Sequence, residues 1–320
     1  MHLNRENSCR ETVSRINRFA GSLSPLAPNG GFHIFLVTLR EGVIVSTCDV
    51  CPHACSIKDG GLGRCRTRRG DGASVVSENY GRITSLALDP IEKKPIARFM
   101  PGTTVLSLGS YGCNMNCPFC QNASIAQVGA KDVSWREVTP AEIVDTALGL
   151  VNRRCVGIAY TYNEPLVSWE FARDTAQLAH ERGLINVLVS NGMANPHVIE
   201  AIAPLVDAAN IDLKCFTAQG YRSLGGNLET VMHTIEHLAN TSTCHLEVTT
   251  LVVPGLSDGE GHMNDMAAWI ASLDPAIPYH LTRFFPQHRM RDARPTPIET
   301  LRRLADIART HLDDVMLGNV

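Results

Sequence analysis

Three cysteines, Cys113, Cys117 and Cys120, sit in the run CNMNCPFC with the spacing C-x3-C-x2-C. Thiolates so spaced can hold three corners of a cubane 4Fe-4S cluster and leave the fourth iron without a protein ligand. An iron with an open position is the arrangement of a catalytic metal, not a structural one. S-adenosylmethionine (SAM) can chelate that iron through its amino and carboxylate groups, which sets its sulfonium beside the cluster. One electron into the sulfonium breaks the S–C5′ bond and gives methionine and a 5′-deoxyadenosyl radical. A share in a zinc site is the plainer alternative, but zinc asks for a fourth Cys or His nearby and none follows within this loop.

A second set, Cys48, Cys51, Cys55 and Cys65, is spaced C-x2-C-x3-C-x9-C, with Gly60, Gly61 and Gly63 supplying turns. Four thiolates can close a structural zinc tetrahedron or fully ligate an auxiliary cluster, and the spacing leaves both open. The chain has 11 cysteines, an odd number that argues against a complete disulfide framework. Clustered cysteines in a reducing compartment read as metal ligands. Arg64, Arg66, Arg68 and Arg69 surround Cys65 and read as a solvated face, not a nucleic-acid contact.

The elements that must position these residues follow a repeating pattern. From about residue 103, short apolar strands are expected at 104–109, 156–160, 185–189, 208–213, 245–250, 278–282 and 314–317. Helical periodicity fills the gaps, at roughly 196–204, 227–240, 260–272 and 298–311. A further helix opens on the capping box Thr139-Pro140-Ala141-Glu142, and another runs from Pro165 to a stop at Gly183. Strand and helix in alternation imply a parallel sheet, here an α/β partial (β/α)6 TIM-like barrel over residues 103–320. Residues 1–102 read as a small cysteine-rich β appendage with the four-cysteine knot and a hairpin of 73–76 with 83–88. Residues 1–45 read as a weakly structured start. The cysteine triplet then lies at the C-terminal end of the first barrel strand, where barrel active sites gather.

With 29 basic and 32 acidic residues and a formal net charge of −3, nothing draws the chain toward nucleic acid or an anionic membrane. No stretch approaches the roughly 18 apolar residues of a membrane span. Arg5, Arg10, Arg15 and Arg18 hint at a transit peptide, but Glu6 and Glu11 interrupt it. A cytoplasmic, oxygen-sensitive protein is expected.

The run CNMNCPFCQN resembles the signature of the radical SAM superfamily, in the branch of the pyruvate formate-lyase activating enzymes. The longer pattern DPIEKKP, FMPG, YTYNEP, SNGM, NIDLK, LVVPGLSD, PYHLTRFFP and LGNV is similar to the radical SAM component of the AmmeMemoRadiSam system, over about residues 46–320. The resemblance implies that Cys113, Cys117 and Cys120 bind the cluster, that Phe119 packs near the adenine, and that Glu164 receives the SAM amino group. Asn163-Glu164-Pro165 stands where the superfamily usually has Gly-Gly-Glu-Pro, so bulky Tyr162 is a departure. It further implies SAM contacts at Ser190 and Asn191, at Asp212 and Lys214, and at His280. An electron donor such as a flavodoxin or ferredoxin is implied as a partner.

Candidate substrate contacts at the same strand ends are Glu247, Thr249, Arg283 and His288, with Lys93 and Lys94 in DPIEKKP, Asp89 to Pro95, which reads as a connector. Lys93, Lys94, Arg283 and Arg289 together suggest a mouth suited to an anion. Cys215 could donate a hydrogen atom, although free cysteines are usually small buried core residues. Three functions compete: hydrogen abstraction from a small, possibly anionic molecule; activation of a partner protein through a glycyl radical; and a non-catalytic iron–sulfur or zinc module. Recurrence of SAM-site motifs at successive strand ends favours an enzyme.

Overall fold

The structure, a computed structural model, describes residues 37–40, 43–240 and 244–320. The weakly structured start expected over 1–45 lies mostly outside the described residues, and so does Cys9.

Short antiparallel pairs come first. β1 (Val37–Arg40), β2 (Val43–Thr47) and β3 (Ser56–Lys58) form one sheet, with Cys48, Cys51 and Cys55 in the connection from β2 to β3. β4 (Arg68–Asp71) and β5 (Ser74–Ser77) follow Cys65 as a hairpin. The hairpin expected between 73–76 and 83–88 does not form. Gly72, at φ +58°, begins a two-residue turn that folds Ser74–Ser77 back onto Arg68–Asp71 instead. That local turn leaves β6 (Arg82–Ile83) to pair with β9 (Arg136–Glu137) and β7 (Ser85–Pro90) to join the main sheet.

The main sheet has eight strands. β8 (Thr104–Gly109), β10 (Cys155–Tyr160), β11 (Ile185–Ser190), β12 (Ala208–Asp212), β13 (His245–Val252), β14 (Tyr279–Arg283) and β15 (Val315–Gly318) run parallel, each beside its successor. β7 lies antiparallel on the free side of β8. Six crossovers carry the helices Pro140–Leu148, Trp169–Glu181, Pro196–Ile202, Leu228–Ala239, Glu260–Leu273 and Ile298–Ala308. This is the partial α/β barrel expected, and every strand falls within two residues of its expected place.

The local chemistry explains the agreement. Thr139 caps its helix through Oγ1, which accepts from Glu142 N at 3.2 Å, while Glu142 Oε2 accepts from Thr139 N at 2.7 Å. The strands are covered on both sides, as parallel sheets require. Leu106, Ile158, Leu188, Ile211, Val248 and Leu281 pack outward with the helices. Val105, Ala159, Val187 and Ala208 face inward against Ile91 and Ile96 of the connector, which plugs the barrel.

Candidate active site

The loop after β8 carries the cysteine triplet, and close packing shapes it. Gly112 has φ +85°, and a Cβ there would stand 2.5 Å from the Cys65 carbonyl oxygen. The cluster loop therefore rests directly on the four-cysteine knot, helped by a 2.8 Å contact between His53 Nε2 and the Asn114 carbonyl. Cys113 Sγ accepts from Met115 N at 3.4 Å and from Asn191 Nδ2 at 3.5 Å. Asn114 ties the loop to the end of β11, donating to Met193 O at 2.6 Å and accepting from Asn191 Nδ2 at 3.0 Å. Cys117 and Phe119 are buried beside it.

Burial pushes all three thiols up, Cys117 to about 11, and Lys214 opposes that shift at Cys117 and Cys120. Thiolates are the metal-binding form, so ligation here must displace protons. The Lys214 ammonium works against burial but is held above the lysine range by Asp212, Cys117 and Cys120. Lys214 Nζ meets Asp212 Oδ2 at 2.6 Å.

Glu164 is a further titratable member of this rim. Oε1 accepts from Leu166 N at 3.0 Å and Ser190 Oγ at 2.7 Å, and Oε2 from Asn191 N at 2.8 Å. Burial still raises its carboxyl to about 7, against those hydrogen bonds and with the Asp212 charge adding to it. A carboxylate in that state gains from an ammonium ligand. Ser190 and Asn191 thus act on the rim through Glu164 and Cys113. Asn163 orients the loops: its Oδ1 accepts from Ser110 N at 2.9 Å, and its Nδ2 donates to Tyr111 O and Gly112 O at 3.1 and 3.0 Å.

Thr249 and His280 stand in register with Asp212 on the next two strands, and the other expected residues make contacts of their own. His280 Nε2 turns to Glu247 Oε2. Glu247 also takes His245 Nε2 at 2.8 Å, Ala97 N at 2.9 Å and Arg98 N at 2.8 Å, anchoring the plug. The cations expected at an anion-binding mouth are engaged separately. Lys94 is buried on Asp89 at 2.8 Å, whereas Lys93 is exposed, 68% by side-chain area. Arg283 Nε donates to Thr296 O at 2.7 Å, and Arg289 Nη2 to Asn116 O at 2.6 Å. Desolvation, with the charges of Arg289 and Arg291 adding to it, lowers the pKa of His288. Cys215 is buried in the core. Thr249 Oγ1 and Asn210 Oδ1, on inward-facing positions of β13 and β12, are buried without a hydrogen-bond partner.

Asn114 and Asp89 are engaged residues that sequence reasoning does not single out, and Tyr162 stands out in it only as a departure. The DPIEKKP string is the one signal for Asp89.

In the knot, Cys48 N donates to Cys55 O at 2.9 Å, Thr67 Oγ1 to Cys65 Sγ at 3.2 Å and Arg64 N to Cys55 Sγ at 3.4 Å. Burial pushes Cys48 to about 12 and Cys51 to about 11, with neighbouring thiols adding to both. Among the described residues no three Cys, His, Asp or Glu side chains converge on one ion's position. A cubane binds each thiolate to a different iron and does not ask for such convergence.

The family model described as the radical SAM superfamily matches residues 108–267, the stretch from the end of β8 into the helix Glu260–Leu273. The chain belongs to the radical SAM superfamily. An uncharacterized protein of Methanocaldococcus jannaschii is 39% identical over 276 residues, covering 85% of this chain and 81% of that one. A second protein of that organism, whose name proposes a glycyl-radical enzyme activating enzyme, is 25% identical over 66% of this chain and 87% of its own. A radical SAM methyltransferase from Sphaerobacter thermophilus shares the fold, with a TM-score of 0.52 over 95% of this chain and 80% of its own at 14% identity. Membership in the radical SAM superfamily implies a 4Fe-4S cluster and SAM. The donor set fits both, with three grouped thiols beside a lysine and a buried carboxyl that an ammonium would ionise. Among the described residues no helix is long and apolar enough to cross a membrane.

Proposed function

We propose that this radical SAM protein is an enzyme that cleaves SAM reductively and abstracts hydrogen from a small molecule held in the barrel. When bound through Cys113, Cys117 and Cys120, the cluster supplies the electron that releases the 5′-deoxyadenosyl radical. Glu164 receives the SAM amino group and Lys214 offsets the carboxylate, with Asp212 fixing the lysine. Phe119 covers the adenine side, and Asn191 orients both Cys113 and Glu164.

The observation that carries this reading is the rim itself. The thiols after β8, the Glu164 carboxyl after β10 and the Asp212–Lys214 pair at the end of β12 share one end of the sheet. Asn191 after β11 joins two of them, donating from its backbone to Glu164 Oε2 and from Nδ2 to Cys113 Sγ. Beside Asp212 on the neighbouring strand, the unpartnered Thr249 Oγ1 favours a substrate that forms hydrogen bonds.

A second reading, activation of a partner protein by a glycyl radical, is supported by the name of the second Methanocaldococcus relative. Reduced enzyme and SAM, added to deuterated cell extract split by size, separate the two. Deuterium in 5′-deoxyadenosine from the small-molecule fraction supports the first, and a glycyl radical signal in the protein fraction supports the second. A flavodoxin or ferredoxin would deliver the electron. The knot holds zinc or an auxiliary cluster in this reading, and iron, sulfide and zinc analysis of anaerobically purified protein distinguishes them.

A further inference from the structure

We propose that Tyr162, gripped by Asp89 and Lys94 from inside the barrel, is a positioning residue that fixes the turn aiming Glu164 at the amino-acid end of SAM. The inference rests on the SAM-binding reading of Glu164 given above.

Tyr162 occupies the left-handed region at φ +71°. A bulky side chain stays there only where its surroundings over-determine it. Those surroundings are specific. The phenol donates to Asp89 Oδ2 at 2.6 Å, and the same oxygen takes Lys94 Nζ at 2.8 Å. The lysine nitrogen also stands 4.5 Å from the centre of the tyrosine ring. Lys94 is buried, so the aromatic face and the carboxylate together replace its water. The end of β8 is cut to fit: a Cβ at Gly109 would come within 2.9 Å of Tyr162 Cβ.

The backbone on either side is held by the cluster loop. Tyr162 O accepts from Asn122 Nδ2 at 2.7 Å, two residues past Cys120. Asn163 grips Ser110, Tyr111 and Gly112 at the other end of that loop. The turn from Thr161 to Glu164 is therefore pinned to the cluster loop through its backbone and to the barrel interior through one side chain. A glycine at 162 would relieve the strain but supply no interior hold. Asp89 lies near the end of β7 and Lys94 in the segment after it that plugs the barrel, so residues outside the cluster loop help set the cradle.

Loosening this hold changes the aim of Glu164, and the nucleoside end of the ligand does not touch that carboxyl. The experiment compares anaerobically reconstituted wild type and Tyr162→Phe in binding SAM and 5′-methylthioadenosine, which lacks the amino-acid part. Tyr162→Phe keeps the ring under Lys94 and loses only the hydroxyl. Its Kd for SAM rises about tenfold, the scale of a hydrogen bond to a charged group, and its Kd for methylthioadenosine stays within about twofold. The double variant Asp89→Asn/Lys94→Met removes both charges without stranding either, and it shows the same selective loss. Unchanged SAM affinity in Tyr162→Phe, or an equal loss for both ligands, overturns the inference. Wild type that binds no SAM would instead sink the functional reading on which it rests.

Discussion

Glu164 and Glu247 are both buried glutamates of the barrel, and their environments push them in opposite directions. Glu164 accepts three hydrogen bonds, yet burial raises its carboxyl to about 7. Glu247 is buried as deeply, but His245, His280 and the backbone of Ala97 and Arg98 outweigh burial and bring it to about 2. One carboxylate has its charge matched from within the protein and anchors the plug. The other, in the proposed function, takes the SAM ammonium as its positive partner at the cluster rim. Completeness of internal pairing, more than burial, separates an anchor from a binding group.

The largest effect is expected at the cluster itself. Replacing Cys113, Cys117 or Cys120 by Ala reduces 5′-deoxyadenosine formation to background, measured by chromatography of reduced enzyme with SAM. Substituting the two glutamates separates their roles. Glu164→Gln weakens SAM binding by about ten- to a hundredfold, the range for a hydrogen bond to a charged group. Glu247→Gln leaves SAM affinity nearly unchanged but costs about 3 kcal/mol of stability in denaturant titration, as loss of a buried pairing does.

The pH dependence of stability has opposite signs at the two sites. Glu164 in the ligand-free protein has a folded pKa above the ordinary 4.5, so its contribution is full below 4.5 and falls as pH rises to about 7. Glu247 has a folded pKa below 4.5, so its contribution is full above that value and is lost as pH falls toward about 2. Unfolding titrations from pH 3 to 8 should show the neutral-side slope reduced in Glu164→Gln and the acid-side slope reduced in Glu247→Gln. The reverse assignment would undo the comparison. Smallest of all is the effect of Lys93, whose exposed contact with Asp89 contributes at most about 1 kcal/mol, so Lys93→Ala leaves both stability and SAM binding close to wild type.

The barrel was legible because its signals are local. Alternating apolar strands, the capping box at Thr139 and the stop at Gly183 each depend on a few neighbouring residues. The appendage was less so: Ser74–Ser77 could pair on either side, and the turn at Gly72 decided it. The cysteine triplet, with Glu164, Asp212 and Lys214, could be named from motifs. The contact between Tyr162 and Asp89 could not, because that hydroxyl reaches 73 residues back through the barrel interior. Glu247 shows the converse limit. A strand position marks it as inward-facing, but the backbone of Ala97 and Arg98 that occupies it is visible only once the connector is folded into place.

The central claim is reductive SAM cleavage at the rim. Its most direct measurement is anaerobic incubation of reconstituted, reduced wild-type protein with SAM, following the cluster's electron paramagnetic resonance spectrum and the products together. A SAM-dependent change in the spectrum with 5′-deoxyadenosine and methionine formed in equal amounts is the predicted result. A reduced cluster whose spectrum ignores SAM, with no 5′-deoxyadenosine formed, would contradict it.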